Sequence, residues 1–484
     1  AARLPDYMGG ARLVAREALP LTPNGKGDKK ALSTTQLPEQ EFEDKDSRAL
    51  EPRALLSSIV ARVTGVDAVD PDANLFELGV NSLKANYIAA TFSRRSGSRL
   101  SVGEIFEHPT INGVLAHQGD KQYLLKVQSQ AAARMDLRRR HGNGAADEAI
   151  AIVGMAGRFP GADSLEELWR IFAEGRDTVT RFTPEQDDPA VDAEVRAHPN
   201  YIRARGMIRN PELFDAAFFG VSPNDASVMD PQQRVFLEIA WEAMENANCD
   251  PDRFDGLIGV YAGMGNNLYY THNVSTRPSL IRMVGEVQVE IGREKDHIAT
   301  LVSHKLNLTG PSVSVHTACS TGLVCVDNAC HSLLSFQCDM ALAGAINLRT
   351  PQMAGQMHEP SGIFSGDGHC RPFSDNASGT MFSDSAGIVV LKRLSDAIAA
   401  RDTVYALIKG TATNHDGLSK KSYLAPSVKA QMEVIATAQA RAGVAPASVS
   451  YMEAHGTATP VGDPIEFQAL RNVFELGSTE RNFC

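Results

Sequence analysis

From Ile150 onward, short unbroken apolar runs alternate with longer segments of helical period, and this alternation narrows the possible folds most. Residues 150–153, 257–261 and 387–391 are runs of the first kind, and 165–172, 232–247 and 429–442 are segments of the second. A strand apolar at every position is buried on both faces, so it demands helices above and below it. The expected architecture is a buried, largely parallel α/β sheet. Residues 52–118 follow a different rule. Leu55, Leu56, Ile59, Val60 and Val63 recur at helical spacing, and Leu83, Ile88 and Phe92 repeat the pattern. Ser101 with Glu104, and then Thr110, signal two further helix starts before His117. Four helices with short connections make an antiparallel bundle. Two segments of low hydrophobicity flank it, 33–51 with Glu39, Glu41, Glu43, Asp44 and Asp46, and 119–147 with Arg138-Arg139-Arg140 and Gly142-Asn143-Gly144. Both read as solvated linkers.

Composition excludes several classes. The 484 residues are 43% hydrophobic and 22% charged, enough apolar material for a core and too much for disorder. Lys+Arg is 47 against Asp+Glu 58, so a nucleic-acid partner is not expected and the Arg138–Arg140 run is assigned to the linker. No apolar run of 18 residues occurs and mean hydropathy is −0.19, so no membrane span is expected. The start, Ala1-Ala2-Arg3-Leu4-Pro5-Asp6, lacks a signal pattern, and seven cysteines without CxxC spacing suit reduced thiols, which together point to the cytoplasm.

Four strings carry chemistry. In Phe76-Glu77-Leu78-Gly79-Val80-Asn81-Ser82-Leu83-Lys84, a serine follows a glycine turn at a helix start. Taken alone, Ser82 is a helix N-cap, a common role for serine; an anionic group on its hydroxyl would also be favoured there by the helix dipole. Upstream, Pro23-Asn24-Gly25-Lys26-Gly27 is a basic surface turn. The third string, Val313-Ser314-Val315-His316-Thr317-Ala318-Cys319-Ser320-Thr321-Gly322, alternates like a strand, passes through small residues and enters the helical pattern of Leu323, Val326, Cys330, Leu333 and Leu334. A cysteine on such a strand-to-helix turn has the geometry of a nucleophile elbow, where the helix N-terminus favours the thiolate. Cys325, Cys330 and Cys338 read as structural thiols on the helix behind it. An acyl-transferring thiolate requires imidazole for proton and oxyanion management. Glu453-Ala454-His455-Gly456-Thr457-Ala458-Thr459-Pro460-Val461-Gly462-Asp463-Pro464 supplies one, His455, at an expected strand end.

These strings resemble known families. The bundle with its Phe-Glu-Leu-Gly and Ser82 resembles a peptidyl or acyl carrier protein, which implies that Ser82 bears covalent 4′-phosphopantetheine. Leu4-Pro5-Asp6-Tyr7-Met8 and the Lys26 turn resemble the C-terminal tail (1–32) of an adenylation domain of a nonribosomal peptide synthetase, in which Lys26 would match the lysine that contacts the acyl-adenylate; Gly9-Gly10 and Gly27 depart from that pattern. Thr317-Ala318-Cys319-Ser320 and the His455 string resemble the active site of a β-ketoacyl synthase of the modular polyketide type, as do Met229-Asp230-Pro231-Gln232-Gln233-Arg234 and Cys370-Arg371-Pro372-Phe373. His316, His415, Ser383 and Ser385 stand where the family commonly has an acidic residue, an asparagine and glycines.

The resemblance implies a multidomain hybrid synthase fragment: adenylation tail 1–32, linker 33–51, four-helix carrier 52–118, linker 119–147 and a thiolase-like, α-β-α-β-α layered ketosynthase 148–484. Catalysis falls to Cys319 and His455, with the family's second histidine and lysine expected beyond Cys484, which would leave the fragment's active site incomplete and Lys26 vestigial. The expected reaction is transfer of an aminoacyl or peptidyl thioester from the carrier to Cys319, followed by decarboxylative condensation with a malonyl-type extender. Two alternatives stand: a terminal ketosynthase releasing product by intramolecular C–C cyclisation, and a non-catalytic carrier and docking fragment. Expected partners are an upstream adenylation domain, other carrier and acyltransferase domains, a phosphopantetheinyl transferase and a second copy of the chain through the ketosynthase.

Overall fold

The computed structural model describes residues 51–118, 133, 134, 136, 148–360, 362–419 and 425–475. Lys26, most of the first linker and most of the second lie outside the described residues. The chain divides into two compact units, Ala1–Val127 and Gln128–Cys484.

In the first unit, α1 (Pro52–Thr64), α2 (Ser82–Ser96), α3 (Val102–Glu107) and α4 (Ile111–Gln118) pack as the expected bundle. Local chemistry sets the ends. Pro52 opens α1, where a missing N–H costs nothing. Ser101 and Glu104 close a capping box at the start of α3. Leu56, Leu75, Ile88, Phe92, Ile105 and Ile111 are fully buried in one core, each contributing about 1.5–3 kcal/mol of burial. Leu83 departs from the sequence pattern: the inward face of α2 is Ala85, Ile88, Ala89 and Phe92, and Leu83 is 56% exposed.

The second unit is built on a six-stranded sheet of β1 (Ile150–Arg158), β2 (Ile258–Met264), β3 (Ser312–Ser314), β4 (Met340–Asn347), β5 (Ser385–Arg393) and β6 (Ala406–Ile408), in the order β6-β1-β5-β4-β2-β3. The sheet is mixed, which corrects the largely parallel expectation. β2 pairs with β3 and β4 in parallel, whereas β1–β6, β1–β5 and β4–β5 are antiparallel. An apolar run reports burial on both faces and carries no information about direction. Alternate side chains serve two cores. Val260, Leu342, Ile388 and Val390 meet α5 (Pro231–Asn246) and α6 (Ile298–Lys305), while Tyr261, Ala341, Ala343 and Leu391 meet α7 (Thr321–Leu334). The helices α8 (Val428–Ala442) and α9 (Gly462–Glu475) pack on each other. The described residues thus form helix–sheet–helix layers.

One residue of the second linker is anchored. The Arg134 guanidinium donates to both oxygens of Asp339, at 3.2 and 2.7 Å, and Asp339 also accepts from Arg393 at 3.0 Å. The two guanidinium groups hold the Asp339 carboxyl below the usual carboxylate range against the opposing effect of burial.

Candidate active site

In the helical unit, Asn81 rather than Ser82 caps α2: its Oδ1 accepts from Lys84 N–H at 3.0 Å. Ser82 is the first helical residue and is exposed, and its hydroxyl bonds to no other described residue. The turn before it depends on Gly79, at φ +84°, a conformation a side chain would strain, and Lys84 Nζ fastens it by donating to Gly79 O at 3.0 Å. A free hydroxyl at a helix N-terminus, with the cap supplied by its neighbour, fits covalent attachment of a phosphate-linked arm.

In the second unit, β3 leads through Val315 into one tight turn, Ala318–Ser320, and then into α7. Cys319 sits on that turn, exposed, behind Ala318 at φ +56°. A non-glycine residue in this region is strained and is held there by its surroundings. The small polar residues around Cys319 supply that hold. Thr317 N–H donates to Thr321 Oγ1 at 2.9 Å, Thr321 Oγ1 donates to Ala318 O at 2.8 Å, and Ser320 Oγ donates to Thr317 O at 2.9 Å. Beneath the turn, a Cβ on Gly263 would stand 2.2 Å from Val315 O and 2.3 Å from Thr321 Cγ2, so only glycine fits. The other cysteines of this region behave as structural thiols, although Cys338 lies beyond the end of α7, between it and β4, rather than on the helix as expected: burial pushes Cys325 and Cys330 up to about 12 and raises Cys338. Leu323, expected on the buried face of α7, is 78% exposed beside the turn.

His455 is exposed in an extended segment that joins no sheet among the described residues, which corrects the expected strand end. Its place is fixed from α9, where the Glu466 carboxylate accepts from His455 N–H at 2.6 Å and from Gly456 N–H at 2.9 Å. Asp463 accepts from Phe373 N–H at 2.6 Å, and Gly379 N–H donates to Ala458 O at 2.9 Å. These bonds tie the His455 loop to the segment that enters β5. Ser385, the first residue of β5, pairs with Asn347 at the carboxyl end of β4. Cys319 follows β3, which is parallel to β2 and, through β2, to β4. The fold therefore brings Cys319 and the His455 loop to one end of the sheet, the end where α/β proteins place their ligands. Glu466 belongs to none of the strings that carry chemistry in the sequence. Its signal was indirect, an acid on the helix opened by Gly462-Asp463-Pro464. Of the departures noted in sequence, His415 accepts from Gly417 N–H at 2.9 Å in a local turn. Burial, aided by the Lys295 ammonium, holds the His316 imidazole below its ordinary value.

A serine-bearing helical bundle ahead of a layered α/β unit with a cysteine elbow has the parts of a carrier joined to a condensing enzyme. Residues 147–397 match the N-terminal domain of β-ketoacyl synthases, 405–484 their C-terminal domain and 54–117 the phosphopantetheine attachment site. The chain belongs to the β-ketoacyl synthase family of polyketide synthases and includes a carrier domain of the type that takes 4′-phosphopantetheine covalently. It is 45% identical over 343 residues to a phenolphthiocerol/phthiocerol polyketide synthase of Mycobacterium tuberculosis, covering 69% of this chain and 23% of that protein. It is 33% identical over 481 residues to the PKS-NRPS hybrid synthetase acdB of Aspergillus candidus, covering 98% of this chain and 19% of that one. Ketosynthase twelve of the bacillaene polyketide synthase of Bacillus amyloliquefaciens superposes with a TM-score of 0.64 at 34% identity, over 69% of this chain and 57% of that one. The chain thus spans less than a quarter of either curated relative. No helix among the described residues is long and apolar enough to cross a membrane.

Proposed function

We propose that residues 52–118 are a carrier whose Ser82 hydroxyl holds 4′-phosphopantetheine, and that residues 148–484 belong to a ketosynthase in which Cys319 accepts the carrier's acyl group and whose complete active site extends it. The arm, when bound, supplies a flexible thiol that presents the acyl group as a thioester. Cys319 Sγ attacks the thioester carbonyl; its own C–S bond forms as the bond to the arm's sulfur breaks, and the proton of the Cys319 thiol passes to the departing sulfur. A malonyl-type extender then loses CO2, and its carbanion attacks the Cys319 thioester. A C–C bond forms, the Cys319 thiolate leaves, and the product is a β-keto thioester longer by one two-carbon unit. His455 stabilises the charge that develops on the extender's thioester carbonyl. Tethering the donor to the same chain raises its effective concentration at Cys319.

The observation that carries this reading is Cys319 itself, exposed on a strained turn between a strand end and a helix start. The similarity to the hybrid synthetase supports an aminoacyl or peptidyl donor and an adenylation tail over 1–32 that includes Lys26. The reading assigns the chain to the cytoplasm, with carrier and acyltransferase domains of the same synthase as partners. Val313, exposed on edge strand β3, and Leu323, exposed in the first turn of α7, support pairing of two copies. The reading is tested by loading Ser82 with a phosphopantetheine analogue that ends in an electrophile and mapping the resulting intrachain cross-link. A cross-link to Cys319 is expected, and one to Cys370, the other exposed cysteine among the described residues of this unit, would overturn the reading. A product formed only with a malonyl-type thioester supports extension, and a cyclic product formed without one supports cyclising release.

A further inference from the structure

At the carboxyl ends of β2 and β4 the second unit holds a cavity of about 360 Å³, within the range of small-molecule sites. Leu268 and His272 line it from the segment after β2, Arg349 and Pro351 from the segment after β4, and Asp192 from a third side. Cys319 lies at this same end of the sheet, because β2, β3 and β4 run parallel.

The charges in its wall are unequally satisfied. Arg205 is buried and donates to Asp384 at 2.5 Å and to the carbonyls of Arg349 and Pro351 at 3.0 and 3.1 Å. Asp384, wholly buried, also accepts from Arg349 N–H at 3.1 Å and from the Gln352 amide at 3.3 Å. Its oxygens are therefore occupied in shaping the 349–352 segment. The half-buried Arg349 guanidinium has no carboxylate within 4 Å among the described residues. Asp192 accepts from Glu194 N–H at 2.7 Å and keeps acceptor capacity on its second oxygen.

Cys319 is not itself part of the wall, so what the shared end of the sheet suits is the body of the acyl group it carries, and the wall points to the chemistry of that body. A hydrocarbon chain would strip water from Arg349 and return nothing. An amide restores both sides, its carbonyl accepting a charge-assisted bond from Arg349 and its N–H available to Asp192. A carboxylate would suit Arg349 but would bring a second negative charge towards Asp192. We propose that this cavity receives the acyl chain and that Arg349 selects chains bearing an internal amide over plain hydrocarbon chains. The inference rests on Cys319 being the acyl acceptor.

The test uses the full chain and three N-acetylcysteamine thioesters of equal length, one hydrocarbon, one with an internal amide and one ending in a carboxylate. Acylation of Cys319 is followed by peptide mass spectrometry. The amide chain is expected to react at least about tenfold faster than the hydrocarbon, the scale of one charge-assisted hydrogen bond. Arg349→Met should bring that ratio towards one, and Arg349→Lys should hold it between the two. A ratio unmoved in Arg349→Met, or a carboxylate chain faster than the amide, overturns the selection by Arg349 while leaving Cys319 as acceptor. Acylation of Cys319 by none of the three removes the acceptor assignment and this inference with it.

Discussion

Asn81 and Ser82 are neighbours with separable jobs, and the separation can be measured. Asn81 Oδ1 accepts from Lys84 N–H at 3.0 Å at the start of α2. Asn81→Ala removes that acceptor, at a cost of about 1 kcal/mol for an N-cap. In a unit of this size, that is a fall of about 4–8 °C in the melting temperature. Ser82→Ala removes no cap bond and places a better helix former at the first helical position, so the bundle should change by less than about 0.5 kcal/mol. The assay has two readouts on the intact chain: the bundle's thermal transition by calorimetry, and the mass gained on treatment with a phosphopantetheinyl transferase and coenzyme A. Asn81→Ala should melt lower and still gain the arm; Ser82→Ala should melt as the parent does and gain nothing. The reasoning fails if Ser82→Ala lowers the melting point as far as Asn81→Ala does, because the serine would then be the cap, or if Ser82→Ala still gains the arm.

Four further outcomes are expected. Iodoacetamide should label Cys319 ahead of the buried Cys325, Cys330 and Cys338 in the native chain, and uniform labelling before unfolding would contradict the elbow. Gly263→Ala forces a Cβ to 2.2 Å from Val315 O, so it should destabilise the second unit by about 1–3 kcal/mol and slow acylation of Cys319, as followed by melting and peptide mass spectrometry. Glu466→Gln puts an amide donor against one of two backbone N–H groups, at a cost of about 1–3 kcal/mol, and in a ketosynthase that also carries the second histidine should slow condensation while acylation of Cys319 persists; equal, nonzero condensation rates would remove Glu466 as a positioning residue. Alkaline pH should also destabilise the second unit. Burial pushes Cys249 up to about 11 and Cys325 and Cys330 up to about 12, so the folded state keeps protons that the unfolded chain releases above the ordinary value of 9.0. Stability should therefore fall as pH rises from 9.0 towards 11, by up to about 1.4 kcal/mol per pH unit for each of the buried Cys325 and Cys330 and by less for the partly exposed Cys249, and Cys325→Ala should flatten that slope in denaturant titrations.

The sequence displayed most of the elements because local signals set them: Pro52, the Ser101–Glu104 box and the unbroken apolar runs all act within a few residues. It displayed the Cys319 elbow for the same reason, since strand, turn and helix follow one another in eleven positions from Ser312 to Gly322. Strand direction was not legible, because β5 is as apolar as a parallel strand would be while it pairs antiparallel on both sides. Helical period placed Leu83 and Leu323 on core faces, yet both stand outward next to Ser82 and Cys319. A period fixes spacing along a helix, and packing decides where the inward arc ends. Ser82 and Asn81 both suit a cap, and only the backbone shows which of them provides it. Glu466 reaches back eleven residues to His455, and Arg134 crosses 205 positions to Asp339. Neither contact leaves a trace in composition or period, because each is made by the folded chain alone.

The central claim is that an acyl group moves from Ser82 to Cys319 within this chain. Ser82 is loaded with an acyl-phosphopantetheine, samples are quenched over time, and the acyl group is located by peptide mass spectrometry in the parent and in Cys319→Ala. The account predicts that label leaves the Ser82 peptide and appears on the Cys319 peptide in the parent, and stays on Ser82 in the variant. Label that stays on Ser82 in the parent, or that leaves it equally fast in Cys319→Ala, would contradict the account.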